Sequence, residues 1–134
     1  MKPPGTGPLD KTLPAPDPAQ VQVIRKYGPG HFLISARDWR EPVLVTPAGT
    51  TPWPVKSADE LSPDNVAPVR TAALPAELLV VGCGARAVFV PPPVRAALKD
   101  AGLAIEVVDT GSACRIYNVL LAEGRRVAAA LIPL

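Results

Sequence analysis

Apolar positions hardly recur over the first stretch of the chain. Residues 1–19, MKPPGTGPLDKTLPAPDPA, hold Leu9 and Leu13 as the sizeable apolar groups after Met1, among six prolines. Such a segment buries too little surface to repay its ordering entropy, and it reads as a flexible, proline-rich tail. The pattern changes at Val21. Residues 21–24 (VQVI) and 32–35 (FLIS) are rich in β-branched and aromatic side chains, and Tyr27-Gly-Pro-Gly30 between them reads as a turn. The polar run 37–41 reads as a connector to a third strand at 43–46 (VLVT), after which Pro47-Ala-Gly-Thr50 turns the chain into a short strand near Trp53-Pro-Val55. An antiparallel, hairpin-built N-terminal half is the result.

The second half has a longer rhythm. Ser57-x-x-Glu60 has capping-box spacing and Ser62-Pro63 pairs an N-cap serine with an N1 proline, so a short helix starts hereabouts, limited or kinked by Pro68. Leu78-Leu-Val-Val81, bounded by Gly82, is a continuous apolar run of the kind found in strands covered on both faces. After Pro91 to Pro93, the residues Val94, Ala97, Leu98 and Ala101 recur at helical spacing, with Gly102 as stop. Residues 104–108 form the next strand. A second helix over 112–123 presents Ala113, Ile116, Tyr117, Leu120 and Leu121 on one face and ends at Gly124; residues 127–132 complete the series. Strand, helix, strand, helix, strand in close succession predicts right-handed crossovers and parallel pairing. The fold class is therefore α/β, a single domain over 20–134 with a C-terminal βαβαβ half and an N-terminal antiparallel hairpin half.

Composition narrows the functions open to such a domain. A chain of 134 residues, 48% hydrophobic, supports one real core. Its 14 basic and 12 acidic residues are scattered, and a net charge of +2 gives no footprint for nucleic acid. The longest apolar stretches, such as 127–134, are strand-sized, so membrane insertion is not expected. The N-terminus has no apolar signal core, which points to a cytoplasmic location. Cys83 and Cys114 are too few for a disulfide framework, and the single histidine, His31, excludes a His-rich metal site. Neither metal nor cofactor is expected.

Several motifs invite sharper readings. Gly82-Cys-Gly84 follows a strand, but a dinucleotide fingerprint needs a third glycine running into a helix, and here three prolines follow instead. Asp109-Thr-Gly-Ser-Ala113 matches the active-site string of aspartic proteases, whose paired carboxylates sit in loops of an all-β fold. Here the string leads into a helix, where Asp109, Thr110 or Ser112 can cap the first turn. Cys114 falls in that same turn, where the helix dipole favours a thiolate, yet free cysteines more often serve as small buried hydrophobes. Trp39 and Trp53 read as core or edge-covering residues, and Arg125-Arg126 as the charged cap after a helix end.

A longer string carries more. Ile24-x-x-Tyr27-Gly-x-Gly30-x-Phe32-x-Ile34-Ser35 is followed by Val43-Leu-Val45 and Trp53, then Leu79-x-x-Gly82-x-Gly84, Pro91-Pro92 and Arg95. Glu106-Val-x-Asp109-Thr-Gly-x-Ala-Cys-Arg-x-Tyr-Asn118 and, further on, Glu123-Gly-Arg-Arg-Val-Ala-Ala129 close the series. This order resembles a small α/β domain family of unknown function that includes mitochondrial NADH–ubiquinone oxidoreductase (complex I) alpha-subcomplex assembly factor three and the adipogenesis-associated domain protein. The likeness covers roughly residues 20–132, and its most specific part is 109–129. It implies a three-layer domain with a mixed central sheet and an assembly or scaffolding role, and it brings no established catalytic residue. The chain lacks the arginine- and serine-rich presequence of a mitochondrial protein, so a free-standing prokaryotic relative fits better than the mitochondrial factor.

Two functions follow. The first is a non-enzymatic protein-interaction or assembly-factor-like domain with a protein partner, in which a homo-oligomer is also allowed. The second is a small-ligand binder or enzyme using the crevice at the carboxyl ends of the parallel strands, where α/β sheets usually place ligands. In either case the candidate surface gathers Gly82, Cys83, Gly84, Asp109, Thr110, Gly111, Cys114, Arg115 and Asn118. Within it, Arg115 offers donors to an anion, Tyr117 packs inward, and Asn118 is left as a polar link.

Overall fold

A computed structural model describes residues 22–72 and 74–134; the tail expected over 1–19 lies outside the described residues. The strands are β1 (Ile24–Gly28), β2 (His31–Ile34), β3 (Arg37–Trp39), β4 (Val43–Thr46), β5 (Gly49–Pro52), β6 (Leu78–Gly82), β7 (Ala104–Val108) and β8 (Val127–Leu131). The helices are α1 (Ala67–Thr71), α2 (Pro92–Asp100) and α3 (Thr110–Ala122), and a single 3-10 turn covers Ala58–Glu60.

The C-terminal half folds as its periodicity predicts. β6 pairs in parallel with β7 on one side and β8 on the other, and β4 adds antiparallel to β8 with β5 at the edge, giving the order β5-β4-β8-β6-β7. The hairpin half divides. β4 and β5 join this mixed sheet, while β1, β2 and β3 form a separate antiparallel sheet.

Alternation along β6 explains the layers. Leu79 and Val81 face a core with Trp53, Leu61, Val66, Val69, Leu98 and Leu103, beneath α1 and α2. Val80 faces the other way, into a core with Phe32, Ile34, Trp39, Ala113 and Tyr117, beneath α3 and the small sheet. The central sheet thus lies between two layers, and side chains on both its faces are withdrawn from water at ~1.5–3 kcal/mol for each large aliphatic group. Tyr117 is wholly buried, and its hydroxyl has no hydrogen-bond partner among the described residues.

Local differences from the sequence reading have identifiable causes. The first strand starts at Ile24 and runs through Tyr27 and Gly28, because a register shift between Ile24 and Lys26 lets Gly28 pair with His31; the turn is only Pro29-Gly30, with Gly30 at φ +75°. The polar run expected to be a connector is β3, anchored by buried Trp39, over which the Arg37 guanidinium stacks at 3.9 Å. The short strand expected near Trp53 is β5, just before it. Trp53 itself turns into the core and donates its Nε1–H to Asn65 Oδ1 at 3.1 Å. Ser57 makes no side-chain cap, and Glu60 instead accepts from the Lys56 amide. Pro68 occupies the first turn of α1, where a missing amide hydrogen costs nothing, so it opens that helix rather than limiting it. Finally, α3 begins at Thr110, two residues earlier than its apolar face suggested.

Candidate functional site

At the carboxyl ends of β6 and β8 the chain ties itself together through one hydroxyl. Thr110, fully buried, accepts a hydrogen bond from the Gly84 amide at 2.7 Å through Oγ1 and donates from the same atom to the Ile132 carbonyl at 2.6 Å. Its own amide donates to the Gly84 carbonyl at 2.9 Å. The Cys83 amide donates to Val108, and Ile132 to Gly82, so the strand ends remain hydrogen-bonded beyond the ladder. Gly82 lets α3 come this close: a Cβ there would stand 3.0 Å from the Ala113 Cβ, the Leu131 Cδ2 and the Thr110 Cα. The Cys83, Gly84 and Ile132 amides and the Gly84 and Ile132 carbonyls at this end of the sheet are thus taken up by the chain itself. The sizeable grooves, of about 430 and 310 Å³, are lined by other residues.

Above this tie sits the capped start of α3. Asp109 accepts the Ser112 amide at 3.1 Å and the Ser112 hydroxyl at 2.7 Å, which makes Asp109 the cap and Ser112 its partner. Those two bonds, with the Arg115 charge as a lesser contribution, hold the Asp109 carboxyl below its ordinary range. The stability this group contributes is therefore full above the ordinary carboxylate range and is lost as pH falls through the depressed value. Arg115 is exposed. It donates to the Tyr27 hydroxyl at 2.7 Å and to Ser112 Oγ at 3.2 Å. Both partners are hydroxyls, and among the described residues no carboxylate forms an ion pair with the guanidinium.

Tyr27 belongs to β1, and a clamp holds it in place. Asn118 donates Nδ2–H to the Ile24 carbonyl and accepts the Ile24 amide on Oδ1, both at 2.9 Å. The polar link left open for Asn118 is this attachment of α3 to the small sheet. With β1 so fixed, the Tyr27 ring covers Gly111, where a Cβ would lie 3.3 Å from Cε1.

The nine candidate residues thus separate into three groups. Gly82, Gly84 and Thr110 form the buried tie. Asp109, Gly111, Arg115 and Asn118 build the helix start against β1. The two cysteines part company: Cys83 packs against the core under α2, and Cys114 is buried in the core under α3, on the other face of the sheet. Both are free. Burial raises the Cys83 thiol and pushes Cys114 up to about 12, overriding the helix-dipole effect anticipated for it. His31, the one imidazole, pairs with Asp38 at 3.0 Å in the hairpin layer. Iodoacetamide at neutral pH should therefore label Cys114 at a small fraction of the rate seen after denaturation, as followed by intact mass. Rapid labelling of the native protein would mean a thiolate is present.

Local reasoning missed Tyr27 and the Ile132 carbonyl as parts of this site, and named Ser112 only as an alternative cap. Tyr27 had a signal in the string Ile24-x-x-Tyr27-Gly, which spaced it from the residue that Asn118 clamps. Among the described residues, no group of three or more His, Cys, Asp or Glu side chains is placed to hold a metal ion. No helix among them is long and apolar enough to cross a membrane.

Comparison with known proteins places this geometry in a family. The model of a protein of unknown function (DUF498/DUF598) matches residues 24–132. An uncharacterized protein of Rhodobacter capsulatus is 38% identical over 111 residues, covering 83% of this chain and 84% of that protein. NADH dehydrogenase [ubiquinone] 1 alpha subcomplex assembly factor 3 of Xenopus tropicalis is 32% identical over 117 residues, which is 87% of this chain and 64% of the factor's length. A crystal structure of a protein from Bordetella parapertussis superposes with a TM-score of 0.77 at 31% identity, over 85% of this chain and 97% of that one.

Proposed function

Since this chain belongs to the DUF498/DUF598 family of unknown function, we propose that it is a non-enzymatic protein-interaction domain with an assembly-factor-like role, acting through the surface that Asp109, Ser112, Arg115 and Tyr27 build at the carboxyl ends of the parallel strands. The observation that carries the reading is Arg115. An exposed guanidinium is held by two hydroxyls, on a helix tied to the sheet at Thr110 and to β1 at Asn118, with donors left over for a carboxylate. Rigid supports of this kind lower the entropy lost when a partner docks. Raised thiol pKa values and a strand-end crevice filled by the chain's own hydrogen bonds give nucleophilic chemistry no support here.

The chain spans about two-thirds of the length of the assembly factor it matches, so a partner resembling that factor's is part of the proposal. Affinity purification from the native host, followed by mass spectrometry, tests it with Arg115→Ala as the control. The wild-type chain should retain a reproducible protein partner and the variant should lose at least tenfold of it, while the melting temperature moves by no more than an ordinary surface change. A variant that loses stability and keeps the partner would make this segment scaffold.

A further inference from the structure

The opposite end of the sheet carries a second surface, independent of Arg115. At the amino ends of β6 and β8 a groove of about 310 Å³ runs between Val69, Leu74, Ala76, Leu121 and Val127, with Arg125 on its rim. Its lining is mostly apolar, and Leu74 is 75% exposed, so the apolar surface of the groove continues out to its edge. The two arginines that follow α3 differ. Arg126 is held by Glu77, with Nε and Nη2 each 2.8 Å from Oε2, whereas Arg125 is exposed and forms no ion pair among the described residues.

From this we propose that the groove docks a short segment of a partner protein, one that inserts two aliphatic side chains and presents a carboxylate to Arg125. Its volume lies at the small end of the ~300–1,000 Å³ typical of ligand pockets, enough for a pair of anchoring side chains and too little for a whole packed helix. Charge selects the flank: with Arg126 neutralised, one cation remains for one acidic residue. A lipid surface would need a cluster of ~4–8 basic residues, whereas Arg125 and Arg126 are the basic residues lining the groove among the described residues. An apolar anchor with one charged neighbour is the economy of peptide-in-groove recognition.

The test uses the full chain, labelled with nitrogen-15, and two blocked peptides with leucines four residues apart, one flanked by glutamates and the other by lysines. The glutamate peptide should shift the amides of Leu74, Ala76, Leu121 and Val127 and bind at least tenfold more tightly than the lysine peptide. Leu74→Ser should weaken it at least fivefold, Arg125→Gln should erase the preference between peptides, and Arg125→Glu should reverse it. Arg115→Ala should leave all of this unchanged, which separates the groove from the surface at the other end. Equal binding of both peptides, or none, overturns the proposal. So does glutamate-peptide binding that appears only after residues 1–19 are deleted, which would make the groove the seat of the chain's own N-terminal segment. A wild-type dimer that Leu74→Ser dissociates would give the groove to a second copy and overturn it too.

Discussion

Replacing Gly82 with alanine should lower the melting temperature by roughly 5–10 °C, measured by calorimetry or circular dichroism. The added Cβ would meet the Ala113 Cβ, the Leu131 Cδ2 and the Thr110 Cα at 3.0 Å each. Leu131 can rotate away, but the Thr110 backbone and the first turn of α3 cannot, because the Thr110 hydroxyl fixes them to Gly84 and Ile132. Overpacking of this sort costs ~1–3 kcal/mol, set against a gain of a few tenths from the reduced freedom of the unfolded chain. For a domain of this size each kcal/mol moves the midpoint by about 3–5 °C. Gly82→Val, with two further methyl groups, should cost more. Gly124 makes the contrast. It has open space around it and φ +78°, so its constraint is conformational: asparagine should be tolerated there and β-branched residues should not. If Gly82→Ala were neutral, the close approach of α3 to β6 would be slack rather than tight.

Gly82 also shows how far the sequence could be read. A glycine ending an apolar strand was visible, but the reason for it was not: the atoms it admits come from α3 and β8, which local patterning cannot bring together. The same division runs through the molecule. The bounds of β4 and β7 were legible because dense β-branched runs end at turn residues, and β6 extends its apolar run only by Gly82. β3 and β5 were not, since Arg37-Asp-Trp and Gly-Thr-Thr-Pro lack an apolar pattern and become strands by pairing with neighbours. In the candidate site, the sequence offered Asp109, Thr110 and Ser112 as alternative caps for one helix. The structure gives each a different task, with Asp109 capping, Ser112 linking it to Arg115, and Thr110 turned away into the sheet. The contacts that place the small sheet, Asn118 to Ile24 and Arg115 to Tyr27, span 94 and 88 residues, beyond the reach of any local signal.

Thr110→Val should be the most damaging change of nearly constant volume in the molecule, while Thr110→Ser should be mild. Valine removes a hydroxyl that is both acceptor and donor, and so leaves the buried Gly84 amide and the partly buried Ile132 carbonyl without those bonds. Each orphaned group costs ~1–3 kcal/mol, so a loss of about 3–4 kcal/mol and a drop of some 10–15 °C is expected. Serine keeps the oxygen and gives up one buried methyl, worth about 1 kcal/mol. The order valine far below serine, with serine just below wild type, separates hydrogen bonding from packing, since packing alone would rank valine as the better substitute. Hydrogen exchange locates the damage: in Thr110→Val the amides of Gly84 and Ile132 should lose protection first, followed by the start of α3. The consequence then reaches function. Thr110 anchors the turn on which Asp109 and Arg115 stand, so a valine variant held well below its melting temperature should retain its fold and still bind any Arg115-dependent partner more weakly. If its affinity were unchanged, the tie would support the fold alone and the geometry of the exposed guanidinium would be set by Tyr27 and Ser112.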